Sequence, residues 1–148
     1  MYKRILVPLD GSKRAERILP YVEELAQNFG SQVIFLHVVE PHYVLTSPYG
    51  YSSADVEILS TEAMKKKAED YHTGLLEKFR EKNIKGKSII KEGSIAHRIM
   101  EIANRENVDL IAMASHGRSG LSRVYYGSVA ASVLHLVDRP LLLVRADG

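Results

Sequence analysis

Two short segments of the chain join turn-forming residues to hydrogen-bonding side chains, and each follows an apolar run. The first is Pro8-Leu9-Asp10-Gly11-Ser12. The second is Ala114-Ser115-His116-Gly117-Arg118-Ser119-Gly120, which continues to Gly127-Ser128 and then into a helical pattern. Glycine lets backbone N–H groups approach an anion closely, and the first turn of a helix offers unpaired donors and a favourable dipole. Gly117, Gly120 and Gly127 therefore suit a phosphate, with Ser128 either capping the helix or giving its hydroxyl to the ligand. Arg118 and Arg123 add cations for charge-assisted contacts. One anion contact at a helix end is worth only ~0.3–1 kcal/mol, so a site needs several together.

Plainer roles stand beside these. Gly117 and Gly120 also serve as simple turn formers, and Gly127-Ser128 as an ordinary helix start. Asp10-Gly11-Ser12 also reads as a turn with Ser12 as the N-cap of the first helix. His116 is either a site residue or a loop residue. His37, inside an apolar run, reads as a core histidine with its hydrogen bonds satisfied, and Tyr125 and Tyr126 read as packing or interface residues. The common nucleotide and hydrolase signatures are missing: no G-x-x-x-x-G-K-[ST], no G-x-G-x-x-G after the first strand, no H-E-x-x-H and no G-x-S-x-G. The loops read as a holder of ligand more than as a reactor.

The elements that position these loops are legible from periodicity. Arg4–Leu9, Gln32–Val39, Asp109–Met113 and Pro140–Val144 are continuous apolar runs of the kind found in strands covered on both faces, and Lys85–Lys91 is a weaker fifth. Helical spacing lies between them: Ile18 to Phe29, stopped by Gly30; Leu59 to Phe79; Ile95 to Ala103; and Val129 to Val137, ended before Pro140. The alternation predicts an α/β fold, a single doubly wound domain over residues 1–148 with a five-stranded parallel sheet and helices on both faces. A strand order of 3-2-1-4-5 puts the reversal between strands 1 and 4, where ligands bind beyond the carboxyl ends. The two distinctive loops leave those two ends. Pro41–Ala54, with two prolines, a glycine and three tyrosines, reads as one long loop suited to a lid.

Composition narrows the function classes. With 148 residues, 45% hydrophobic and 26% charged, the chain has the make-up of one globular domain. The absence of cysteine excludes disulfides, thiolate metal sites and cysteine nucleophiles. A net charge of +2 is too mild to argue for nucleic acid. The run Lys65-Lys66-Lys67 sits among Glu62, Glu69 and Asp70 and reads as a solvated helix face. No apolar stretch approaches the ~18 residues of a membrane span, and the N-terminal segment lacks the features of a secretory signal. The expectation is a cytoplasmic protein with no membrane partner.

Taken together, these residues resemble the universal stress protein family over essentially the whole chain. The segment ILVPLDGS, Ile5–Ser12, is similar to the family's opening, and RPLLLVR, Arg139–Arg145, to its last strand. Nucleotide-binding members carry a glycine, two residues, a glycine, nine residues, then Gly-Ser or Gly-Thr. The matching frame here is Ala114, Gly117, Gly127 and Ser128. Alanine replaces the first glycine, which is acceptable where φ is negative and crowding where it is positive.

The resemblance implies an adenine nucleotide, ATP or else ADP or AMP, at the strand 1/strand 4 crevice, with Mg²⁺ carried on the phosphates. It implies Pro8, Leu9 and Asp10 beside base and ribose, Val38 offering backbone to the adenine edge, and Met113 and Ala114 closing over the adenosine. Gly117, Arg118, Gly127, Ser128 and Val129 would hold the phosphates, with His116 and Gly120 in the same binding set. It also implies a homodimer through the last strand, in keeping with Leu141–Val144 as an apolar edge that would otherwise invite aggregation. The function expected is that of an ATP-binding regulator in stress responses with an unspecified protein partner. The alternatives are a slow ATP hydrolase using Asp10 or His116, and a nucleotide-free dimeric interaction module.

Overall fold

Apolar runs and helical periodicities alternate along the chain, and the folded protein resolves them into strands and helices in strict succession. A computed structural model describes residues 1–40, 53–116 and 127–146, the side chains of 53–60 excepted. The elements are β1 (Arg4–Pro8), a 3-10 turn (Ala15–Ile18), α1 (Leu19–Phe29), β2 (Gln32–Val39) and α2 (Ser53–Glu81). There follow β3 (Lys85–Glu92), α3 (Ile95–Arg105), β4 (Leu110–His116), α4 (Ser128–Leu136) and β5 (Leu141–Ala146). The five strands form one sheet in the order β3-β2-β1-β4-β5, with every neighbouring pair parallel.

Strand periodicity divides the apolar residues between two cores. Ile5 and Val7 of β1, with Val33 and Phe35 of β2, face Val22 and Ala26 of α1 and Leu75 and Phe79 of α2. Leu6 of β1, with Ile34 and Leu36 of β2, faces Ile99 and Ile102 of α3 and Ala130 and Val133 of α4. Central strands covered on both faces have no polar side, hence their unbroken apolar sequence.

Two polar clasps fix the opposite end of the sheet. Asp109, just before β4, accepts hydrogen bonds from the amides of Lys3 and Arg4 at 2.8 and 3.0 Å. Arg139, just before β5, donates to the carbonyls of Ala103 and Val108 at 2.8 and 2.9 Å, and also reaches Asn104. Buried carbonyls at the end of a helix are thereby satisfied by a charged donor.

Two details depart from the sequence reading, and its weakest expectation holds. β3, the weakest expectation, is a full strand registered from Gln32↔Lys85 to Val39↔Glu92. Its mixed sequence reflects an edge position, where Lys85, Lys87 and Lys91 stay in contact with water. β4 runs on to His116, so Ala114-Ser115-His116 belongs to the strand rather than to the loop after it. Ser53 and Ala54, expected in the long loop, open α2; the rest of that loop, residues 41–52, lies outside the described residues. Lys65 and Lys66 pair with Glu62 and Glu92 and with Asp70, the solvated face that was expected. Among the described residues no helix is long and apolar enough to cross a membrane.

Candidate functional site

β2 lies on one side of β1 and β4 on the other, so a crevice opens above the carboxyl ends of β1 and β4. On its β1 side, the amide of Leu9 donates to the carbonyl of Leu36 at 2.9 Å, extending the sheet by one residue before the chain turns. Asp10 then accepts from the Ser12 amide at 2.9 Å, while Ser12 Oγ accepts from the Ala15 amide at 3.1 Å. The first is an Asx turn, and the second satisfies a donor at the start of the 3-10 turn. Ser12 thus serves the 3-10 turn and not, as was expected of it, the first helix: α1 begins at Leu19 after Ile18, with no side chain capping it.

Burial pushes the Asp10 carboxyl up, but the Ser12 hydrogen bonds and the nearby Arg14 guanidinium outweigh it and hold the group below the ordinary carboxylate range. Asp10 is thus a fixed negative charge at the mouth of the crevice. Arg14 Nη2 stands 3.6 Å from Asp10 Oδ2, and Arg14 Nη1 lies 2.6 Å from the ring nitrogens of His116 at the end of β4. One guanidinium therefore spans the crevice from the β1 side to the β4 side.

On the β4 side, Ala114 is a strand residue registered opposite Val144, and its φ is not positive. The methyl that replaces the frame's first glycine thus costs no backbone strain. Gly127 behaves differently. Its φ of 86° and ψ of 156° lie in a region open essentially to glycine alone, and a Cβ there would run into the His116 ring. α4 begins immediately afterwards, with no side chain capping it. Of the two roles open to Ser128, capping is not the one observed; the residue is exposed at the first turn of α4.

The crevice holds a cavity of about 120 Å³. Pro8, Leu9 and Asp10 line it from β1, Val38 from β2, Met113, Ala114 and His116 from β4, and Ser128 and Val129 from α4. Gly127 sits behind them against His116. Gly117, Arg118 and Gly120 lie outside the described residues, as do Arg123, Tyr125 and Tyr126. Sequence reading missed Arg14, Ala15, Leu36, Ile95, Ser115 and Ala130, which also line the cavity. Arg14 had a usable signal, four residues after Asp10 on the chain's first turn beyond β1. Ile95 had none, because α3 reaches the crevice only through the packing of its helix on the sheet.

Behind Asp10, on the α1/α2 face, lies a buried polar cluster. His72 of α2 is fully buried, with its Nδ1 2.6 Å from Ser88 Oγ of β3. Burial, and secondarily the neighbouring His37, lower its pKa to about 4. Burial also lowers that of His37, with the Asp10 charge opposing. Tyr71 donates to Glu16 Oε1 at 2.8 Å, and burial followed by that carboxylate raises its pKa. The expectation of a satisfied His37 is corrected: its Nδ1 is buried with no hydrogen-bond partner among the described residues. An apolar strand pattern shows that a histidine is interior but not whether its nitrogens are met.

Among proteins of known sequence and structure, residues 1–145 match the Universal stress protein family. Universal stress protein MJ0577 of Methanocaldococcus jannaschii is 31% identical, covering 98% of this chain and 96% of its own. The solved structure of MJ0577 superposes with a TM-score of 0.83 at 30% identity, covering 98% of this chain and 96% of that one. Two more distant members share the fold. One is a universal stress protein in complex with cAMP, with a TM-score of 0.60 and 18% identity over 98% of both chains. The other, from Archaeoglobus fulgidus in complex with dAMP, has a TM-score of 0.61 and 20% identity over 96% of this chain and 97% of its own. A family match over almost the whole length, the shared fold and the strand 1/strand 4 crevice lead to one conclusion: this chain belongs to the universal stress protein family.

Proposed function

We propose that this protein binds an adenine nucleotide, ATP or its relatives ADP and AMP, in the β1/β4 crevice and acts as a nucleotide-responsive regulator in stress responses. The observation that carries this reading is convergence. Residues nominated from loops about a hundred positions apart line one cavity, at the place where parallel sheets bind ligands. Two proteins of the same fold hold adenosine monophosphates, cAMP and dAMP.

In this reading Val38 and Met113 flank the base, Asp10 accepts a ribose hydroxyl, and Gly127 and Ser128 bring backbone and hydroxyl donors to the phosphates. Asp10 is the only carboxylate lining the cavity among the described residues, so Mg²⁺ would arrive on the phosphates. The working unit would be a cytoplasmic homodimer paired through β5. Of the two sheet edges, β3 is guarded by lysines, whereas Leu141–Val144 of β5 is apolar and half-buried.

Thermal unfolding with and without Mg-ATP, ADP, AMP and cyclic AMP tests the reading. A ligand at about 100 times its Kd stabilises the native state by ~2.7 kcal/mol, several degrees for a chain of this size. The expected result is a rise with ATP that Gly127→Val abolishes while its ligand-free unfolding remains cooperative. A rise with AMP or cyclic AMP alone would keep the crevice and change the ligand. No rise with any of them, in protein that carries no co-purified nucleotide by mass spectrometry, would overturn the reading in favour of a dimeric interaction module.

A further inference from the structure

We propose that Arg14 is the residue through which the crevice distinguishes a phosphorylated adenosine from the bare nucleoside. The inference rests on the adenine-nucleotide reading and goes beyond it by assigning the charge selectivity to one side chain. Arg14 belongs to neither loop that carries the family's nucleotide frame. It starts the 3-10 turn, with helical φ and ψ of −62° and −48°, and that turn aims its side chain back over Asp10.

The geometry leaves the guanidinium half-engaged. Nη1 is within hydrogen-bonding distance of the His116 imidazole. Nη2 is 3.6 Å from the Asp10 carboxylate, an ion pair too long for a hydrogen bond. A guanidinium carries five N–H donors in a planar fork that matches phosphate oxygens. The fork lies between Asp10, where the ribose is placed, and His116, which packs against Gly127 at the phosphate end. A phosphate running from ribose to Gly127 must pass it.

Charge balance points the same way. Asp10 is ionised, and alone it would repel an anionic ligand from the crevice. Arg14 is the cation that offsets it among the described lining residues. The Asp10 side chain is 55% exposed and that of Arg14 31%, so water screens their attraction and a phosphate can displace it. On binding, the ribose hydroxyl takes over Asp10 and the phosphate takes over Arg14, leaving both charges partnered. A nucleoside offers Arg14 nothing in exchange.

The test is titration calorimetry of the full chain with adenosine, AMP and Mg-ATP, for the wild type, Arg14→Gln and Arg14→Lys. Hydrogen bonds to charged groups predict that Arg14→Gln weakens AMP and ATP by roughly tenfold or more, leaving adenosine within about twofold. Arg14→Lys should fall between, because it keeps the charge and loses the fork. Retention of the ligand-free unfolding midpoint in Arg14→Gln would confirm that the fold survives. Equal losses for all three ligands would overturn the proposal, showing that Arg14 only shapes the crevice; so would unchanged AMP and ATP binding. If the wild type binds none of the three, the adenine-nucleotide reading itself fails, and this inference with it. Wild-type binding without a selective effect of Arg14→Gln sinks this inference alone.

Discussion

The imidazoles of His37 and His72 stand 6.3 Å apart at a steep angle, one on β2 and one on α2. Each carries a buried nitrogen, Nδ1 of His37 and Nε2 of His72, with no hydrogen-bond partner among the described residues. Ser88, Tyr71 and Phe35 close around His72, and the Asp10 charge acts on His37. A protonated ring here loses its water, which is why burial lowers the pKa of both groups, with the Asp10 charge opposing at His37.

Acid sensitivity follows from that pair. The unfolded chain protonates His72 near 6.5 and the folded chain only near about 4, so the unfolded state binds more protons between those values. This contribution to stability is complete above pH 6.5 and is lost as pH falls towards 4, amounting to about 3 kcal/mol, with His37 adding in the same direction. Urea midpoints measured from pH 7.5 to 4 should fall over this window. His72→Leu should flatten the profile, and an unchanged slope in that variant would reject the assignment.

Asp10 has two separable roles, a turn and a charge. Asp10→Asn keeps an acceptor for the Ser12 amide and removes the charge, whereas Asp10→Ala removes both. The ligand-free stability of Asp10→Asn should stay within about 0.5 kcal/mol of wild type, since an exposed ion pair is worth little. Asp10→Ala should lose roughly 1 kcal/mol with the turn. Loss of the negative charge should also lower the His37 pKa further, because Asp10 is the group that raises it. An NMR titration of the His37 ring in Asp10→Asn that moves upward would contradict the geometry.

Arg139 is expected to be a stability residue without a role in binding. Arg139→Ala strands the carbonyls of Ala103 and Val108, each of which now accepts a charge-assisted hydrogen bond. A cost of about 2–3 kcal/mol is expected, lowering the calorimetric Tm by several degrees. Nucleotide affinity should not change, since Arg139 lies at the opposite end of the strands from the crevice. A variant that unfolds at the wild-type temperature would show that these bonds carry little.

The β5 edge predicts the assembly state. Light scattering on size-exclusion fractions should find the wild type dimeric, and Leu142→Glu should be monomeric with cooperative unfolding retained. A charge on this half-buried edge strand blocks pairing with a copy of itself while leaving the backbone pairing with β4 in place. A Leu142→Glu protein that remains dimeric would place the interface elsewhere.

Much of the scaffold was legible because its signals are local. Strands β1, β2, β4 and β5 were readable because a strand covered on both sides has no polar face, and Gly30 marked the end of α1 by adopting the left-handed conformation. β3 was faint for the opposite reason, an edge strand that must keep lysines in water. The reach of β4 was underestimated: Ala, Ser and His form strands poorly, and only pairing with Val144, Arg145 and Ala146 of β5 extends the ladder to His116.

The resemblance to the family supplied Val38, Met113 and Val129; local sequence supplied the β/α alternation and the turn-rich loops that bring Pro8, Leu9, Asp10, Ala114, His116 and Ser128 to the crevice. These are matters of periodicity, turn chemistry and spacing, which act over a few residues and survive without coordinates. Only the packed fold shows that Arg14 bridges Asp10 to His116, that Ala114 replaces glycine without strain, and that the His37 ring stands against that of His72. Each of these depends on groups brought together from separate elements. Distance, burial and dielectric between such groups exist only once the two cores have packed.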